Sequence, residues 1–222
     1  MASLIDAEMG PLVLHRHAPP PPKPSRKFKL PPGVPRGPIK EPDWIRIACA
    51  EESATVIEMR GIDDNNPRIL EYLATVPHLA HAKYMVMDKK LKKKVWTGKM
   101  MSEVDETAWC SCFVTWSLKA ANMDPPAYSL AKAWKEYGTE LAPEEVKVGA
   151  VAVIYKEPTK KTANMTHSGF HVGFYIGGPA ESPVLLGGNQ SDSVCRKQFH
   201  GYEVWYRWPV KGSGGSHKKK HK

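Results

Sequence analysis

The residues best suited to chemistry lie in one stretch, residues 105–122, DETAWCSCFVTWSLKAAN. Asp105 or Thr107 can cap a helix start there, because a short side-chain oxygen accepts from the unpaired N–H groups of a first turn. Beyond it Cys112, Phe113, Trp116 and Ala120 recur at the spacing of a buried helical face. This places Cys110 in the first turn of an apolar helix. The partial positive charge of free N–H groups favours a thiolate over a thiol at that point. A thiolate is the nucleophile that amide-cleaving cysteine enzymes use.

Such a sulfur needs a base, and the base needs an orienting group. His171 lies within the strand-like run GFHVGFYI, on the same face as Gly169 and Gly173, where small neighbours leave room for a substrate backbone or a facing helix. A strand histidine can equally be a packed, hydrogen-bonded side chain. Asn189, in the run LGGNQ, offers a carbonyl oxygen that could fix the tautomer of the imidazole, or it is simply a turn asparagine in a glycine-rich bend. His167 is a rival base in loop-like surroundings, whereas His15, His17 and the C-terminal histidines sit in segments with little to bury. No serine elbow, phosphate loop, HExxH or EF-hand pattern is present. Asp63 and Asp64 read as cap or turn residues rather than as an acid–base pair.

The elements that must position these groups follow from periodicity. Apolar Trp44, Ile47, Ala48, Val56 and Ile57 predict one or two helical pieces after Glu41. Asn66-Pro67 predicts a helix start, with Ile69, Leu70, Leu73 and Val76 on one face and Pro77 as its end. The stretch 78–104 holds Lys89, Lys90, Lys92, Lys93 and Lys94 and reads as a solvated loop or helix face, or else as an electrostatic contact for an anionic substrate or partner. Ser129 predicts a cap for a short helix, LAKAWKEY, stopped by Gly138. From Val148 the period changes to short β-rich runs, GAVAVIYKE, GFHVGFYIGG, SPVLLGGNQ and EVWYRWPV. Helices followed by a meander of antiparallel strands predict an α+β domain.

Composition sets the boundaries. Residues 1–40 carry ten of the 20 prolines and seven Lys or Arg against two acids, which predicts an extended, proline-rich basic arm. A single folded domain is expected over 41–210, close to neutral in charge. Residues 211–222, KGSGGSHKKKHK, read as a flexible basic tag-like tail. A near-neutral domain between two basic tails is not a nucleic-acid-binding fold by composition, although the tails could adhere weakly to any polyanion. No secretory leader and no membrane-spanning run is expected from the pattern. Cys49, Cys110, Cys112 and Cys195 have no zinc-finger or CxxC spacing and predict free thiols, with Cys49 and Cys195 as buried apolar residues.

Three motifs in order, DETAWCSCFVTW, FHVGFYIG and VLLGGNQSDSV, resemble the NlpC/P60- and CHAP-like cysteine peptidases of bacteria and phages. The flanks WIRIA, NNPRILEY and YRWP are similar too, so the resemblance spans roughly residues 42–209. It implies a papain-like fold, with a nucleophile helix packed on an antiparallel sheet that carries the base, and cleavage of peptidoglycan amide bonds. Under it Cys110 matches the nucleophile, His171 the general base and Asn189 the residue that orients the base. Backbone N–H groups around Cys110 would form the oxyanion hole, and no metal or cofactor is implied. Phe170 stands where the family usually has Gly before the histidine, Ala150 where an acid is common, and the Lys-rich stretch looks like an insertion.

The resulting expectation is a murein hydrolase, either a stem-peptide endopeptidase or an N-acetylmuramoyl-L-alanine amidase. It would act on the cell wall as a holin-released phage-type lysin or as an antibacterial effector delivered by a secretion machine, with an immunity protein or secretion component as a possible partner. Competing expectations are a thiol acyltransferase or deamidase acting on a protein, a binding module without turnover, and a polyanion binder working through its tails.

Overall fold

The computed structural model describes residues 41–158 and 168–211. The arm expected over 1–40, the tail from 212 onward and His167 lie outside the described residues.

The first helix, α1, runs Asp43–Ser53 and turns Trp44, Ile45, Ala48 and Glu51 inward. The indole N–H of Trp44 donates to the carbonyl of Gly149 at 2.9 Å, which anchors the helix to the start of the β-rich half. In α2, Pro67–Ala74, Pro67 sits at the first position and the Asn66 side chain accepts from the N–H of Arg68. That cap satisfies an otherwise orphaned donor while proline supplies the pre-set φ. Buried Glu51 receives the Arg68 guanidinium at 2.7 Å and the Tyr72 hydroxyl, so a charge that would be costly alone is fully paired. Arg68 also lies 4.4 Å from the ring of Trp116, tying both helices to the next.

Residues 83–100 form a two-stranded antiparallel ribbon rather than a loop or helix face, with β1 at Lys83–Asp88 and β2 at Lys93–Met100. Half-buried Tyr84, Val86, Val95 and Thr97 alternate with exposed Lys, Met and Trp residues, the period of a strand. The carboxylate of Asp88 accepts from the N–H groups of Lys90 and Leu91 and closes the turn.

The helix α3 spans Cys110–Ala120 and is buried from Cys110 to Val114. Trp109 is its cap residue, with no side-chain cap bond. The two expected caps are employed elsewhere: Asp105 accepts from the N–H groups of Met59 and Asn66 at 2.9 and 2.8 Å, and Thr107 donates to the carbonyl of Met101. The segment LAKAWKEY makes a 3-10 helix, Ala131–Glu136, that buries Trp134.

The remaining strands are β3 (Thr139–Leu141), β4 (Val151–Tyr155), β5 (Phe170–Gly177), β6 (Val184–Gly187), β7 (Cys195–Gln198) and β8 (Glu203–Trp208). They build one antiparallel sheet in the order β3-β8-β4-β5-β6-β7, so the last strand inserts between β3 and β4. Val151, Val153, Val172, Phe174 and Leu186 face the helices and share their core. Ala150, Ala152, Ile154 and Leu185 face the other way, under Phe199 and Tyr206. The architecture is α+β, with helices against one face of an antiparallel sheet.

Candidate active site

The site grows from a gap in the sheet. Tyr175 N–H donates to Ala150 and Lys156 N–H to Gly169, so the odd-numbered residues of β5 bond to β4. Val172 therefore turns its N–H toward the β6 side. The β5–β6 ladder, however, runs only from Phe174 and Leu186 to Gly177 and Val184. Beyond Leu186 the chain parts from β5, with Gly187 still paired to Cys195 on β7, and the start of α3 packs against Gly188. A Cβ on Gly188 would lie 2.4 Å from the ring of Trp109 and 2.7 Å from Cβ of Phe113. Only glycine permits that approach.

In this gap the Cys110 sulfur meets the N–H of Val172, together with its own N–H and the N–H of Ser111. These donors and the Ser111 hydroxyl favour a thiolate, but burial is the larger effect and pushes the Cys110 thiol above its usual range. The thiolate expected from the helix terminus alone is thus outweighed, because Cys110 is only 9% exposed.

His171 projects from the face of β5 that it shares with Ile154, its cross-strand partner. Its ring lies 5.8 Å from that of Phe199, and its Nε2 is 3.1 Å from Oε1 of Gln190. The Gln190 amide nitrogen donates to the carbonyls of Leu185 and Cys195, so its oxygen is the end that meets the imidazole. An amide oxygen only accepts, so Nε2 of His171 is the nitrogen that donates in this contact. A Cβ on Gly187 would lie 3.3 Å from Nε2 of His171, so the ring leans toward the β5 edge that receives the sulfur. The Cys110 sulfur thus meets the backbone of the residue that follows His171 on β5.

The side chain that meets Nε2 of His171 is that of Gln190, next in the chain to the expected Asn189. Asn189 has φ +57°, and Ser191 and Asp192 follow at +55° and +58°. Asparagine tolerates this left-handed region, so position 189 serves the turn and delivers its longer neighbour to the histidine. The loop is locked by Gln190 N–H to Ser193, by the Ser193 hydroxyl to Gln190 O at 3.0 Å, and by the Cys195 thiol to the same oxygen at 3.1 Å. Asn189 lines a small cavity of about 90 Å³ with His171, Gln190, Ser191, Lys197 and Phe199. The propensity of asparagine for left-handed turns was the available signal that the next residue, rather than Asn189, points inward.

Two further residues support the site without an obvious motif. Trp109, fully buried, donates its indole N–H to the Glu58 carboxylate at 3.2 Å. Glu58 is pushed up to about 7 by burial, with Asp192, Asp105 and Glu106 adding to the rise. Its own N–H donates to Asp192 O at 2.7 Å, and Val194 N–H to Val56 O, so residues 56–58 clamp the loop that carries Gln190.

All four cysteines are free. Cys112 is buried and its thiol is pushed well up by burial, which suits packing rather than attack. Cys49 and Cys195 are half-buried rather than fully buried: Cys49 takes Arg196 Nη2 at 3.5 Å, and Cys195 belongs to the Gln190 network. Among the described residues no group of three or more His, Cys, Asp or Glu is placed to hold a metal ion, and no helix is long and apolar enough to cross a membrane. No protein-family model matches the chain, and no curated protein matches it in sequence.

Proposed function

We propose that this chain is a papain-like cysteine amide hydrolase of the NlpC/P60 and CHAP-like kind, with peptidoglycan as its substrate. The observation that supports the chemistry best is the Cys110 sulfur at the N–H of Val172, the residue next to His171 on β5, with Nε2 of His171 held by Gln190. The choice of murein rests on the resemblance of the three sequence motifs.

In this reading Nδ1 of His171 takes the Cys110 proton, and the thiolate attacks the amide carbonyl. The N–H groups at the start of α3 receive the oxyanion, since no intrahelical carbonyl claims them. The imidazolium returns its proton to the departing amine as the C–N bond breaks, leaving a thioester on Cys110. Water deprotonated by His171 then cleaves the thioester, releases the acid and restores the thiol. The bond is one within the stem peptide or between muramic acid and L-alanine. Delivery to the wall as a lysin or as an antibacterial effector belongs to the same proposal.

Purified murein digested by the wild-type chain and by Cys110→Ala, with products identified by mass, tests it. Amide-cleaved fragments released only by the wild type are expected, and their masses name the bond. Release by neither protein under reducing conditions would overturn the murein assignment and favour acyl transfer or deamidation on a protein.

A further inference from the structure

The β1–β2 ribbon presents a face that nothing among the described residues covers. The register pairs Met85 with Trp96 and Met87 with Lys94, which puts Lys83, Met85, Met87, Lys94 and Trp96 on one side. Met85, Met87 and Trp96 are 41%, 57% and 48% exposed, and Leu91 at the tip is 58% exposed. Isolated large apolar residues on a surface need no explanation, but four on one ribbon do.

The charge around them is one-sided. The ribbon, KYMVMDKKLKKKVWTGKM, holds seven lysines and a single acid. That acid, Asp88, is used to cap the turn. Lys99 pairs with Asp63 at 3.0 Å, whereas Lys83, Lys89, Lys90, Lys92, Lys93 and Lys94 form no ion pair among the described residues. The indole N–H of Trp96 is satisfied within the ribbon by the carbonyl of Lys99 at 3.0 Å. Its ring can therefore enter an apolar medium without stranding a donor, and indoles favour the boundary between headgroups and acyl chains.

We propose that this ribbon is a peripheral docking element for an anionic phospholipid surface. The lysines are attracted to lipid phosphates, while Leu91, Met87, Met85 and Trp96 enter the acyl boundary. Lysine is a flexible point charge that suits a diffuse anionic layer, and the ribbon contains no arginine, asparagine or glutamine that could read base edges or clamp one phosphate in a bidentate grip. Aliphatic Met85, Met87 and Leu91 offer nothing to a soluble polyanion, and a second copy of so basic a ribbon would be repelled. Charge and apolar surface together select a bilayer.

The test uses the full chain, sedimented with vesicles of phosphatidylcholine and phosphatidylglycerol or of phosphatidylcholine alone. Binding is expected only to the anionic vesicles, with a blue shift of tryptophan emission that is absent in Trp96→Phe. Because residues 1–40 and 211–222 are basic too, the decisive variant is Leu91→Ser with Trp96→Ser, which keeps every charge. It should bind at least about tenfold more weakly, the effect of removing large buried apolar side chains from the lipid boundary. Lys89→Glu with Lys90→Glu should weaken binding further, about fivefold per lysine removed. Binding of the double-serine variant as tight as wild type would overturn the proposal. So would failure to bind anionic vesicles, or Trp96-dependent binding to an oligonucleotide in its place. Amide hydrolysis is read separately: Cys110→Ala keeps vesicle binding, and the ribbon variants keep hydrolysis of soluble fragments, so either idea can fail alone.

Discussion

With its amide nitrogen committed to the carbonyls of Leu185 and Cys195, Gln190 can present only an acceptor to His171, and the imidazole proton is kept on Nε2. Truncating that side chain frees the tautomer and leaves a buried pair of carbonyls without their donor. Gln190→Ala should lower turnover on murein fragments by about 100-fold, within the range of general acid–base catalysis, and move the acid limb of the pH profile of kcat/KM. Asn189→Gly keeps the left-handed turn and removes only the side chain, so turnover and profile should stay close to wild type. A pH series on the two variants distinguishes an orienting role at 190 from one at 189. The opposite ranking would restore the assignment of Asn189 that its residue type suggested. At this scale the sequence is informative about which residues are candidates for chemistry and weak about which neighbours they meet. Cys110 and His171 stand out by type and surroundings, but which of two adjacent amides turns inward depends on left-handed residues on either side of Gln190, at 189, 191 and 192, that no motif announces.

The start of α3 is held by packing rather than by a side-chain cap. Trp109 fills the space above Gly188, and its indole reaches Glu58. Gly188→Ala would force the Trp109 ring and Cβ of Phe113 apart from the site loop, an overpacking that costs about 1–3 kcal/mol in a well-packed core. A lower urea midpoint with loss of activity is expected, since the displaced ring adjoins Cys110; an unchanged midpoint would show that the loop has room to give. Elements with strong local signals were legible. Asn66-Pro67 announces α2, and β-rich runs between turn residues announce β4, β5, β6 and β8. The ribbon was not, because five lysines at its tip break the alternation of Tyr84, Val86, Val95 and Thr97 that marks a strand. β3 and β7, three and four residues long, are too short to show a period at all. Nothing local indicates that β8 returns between β3 and β4, a long-range pairing paid for by the whole core.

Across the molecule, Glu58, which accepts from the Trp109 indole beside the start of α3, carries the titration most open to test. Its carboxyl is raised from 4.5 to about 7, so the folded state holds a proton that the unfolded chain releases earlier. The stability from this group is fully present below about 4.5 and is lost as pH rises through about 7. Denaturant midpoints of the wild type should therefore fall between pH 5 and 7.5 more steeply than those of Glu58→Gln; parallel curves would show that other groups dominate. Cys110 obeys the same sign. Burial raises its thiol, so alone it would react only in alkaline solution, whereas a proton taken by His171 would make it reactive near neutral pH. The most direct test of that pairing is the rate of iodoacetamide alkylation at Cys110, followed by peptide mass against pH, in the wild type and in His171→Ala. A neutral-pH plateau in the wild type that disappears in His171→Ala, leaving only an alkaline rise, is the predicted result. Superimposable alkaline profiles for the two proteins would contradict a Cys110–His171 pair and the amide chemistry built on it.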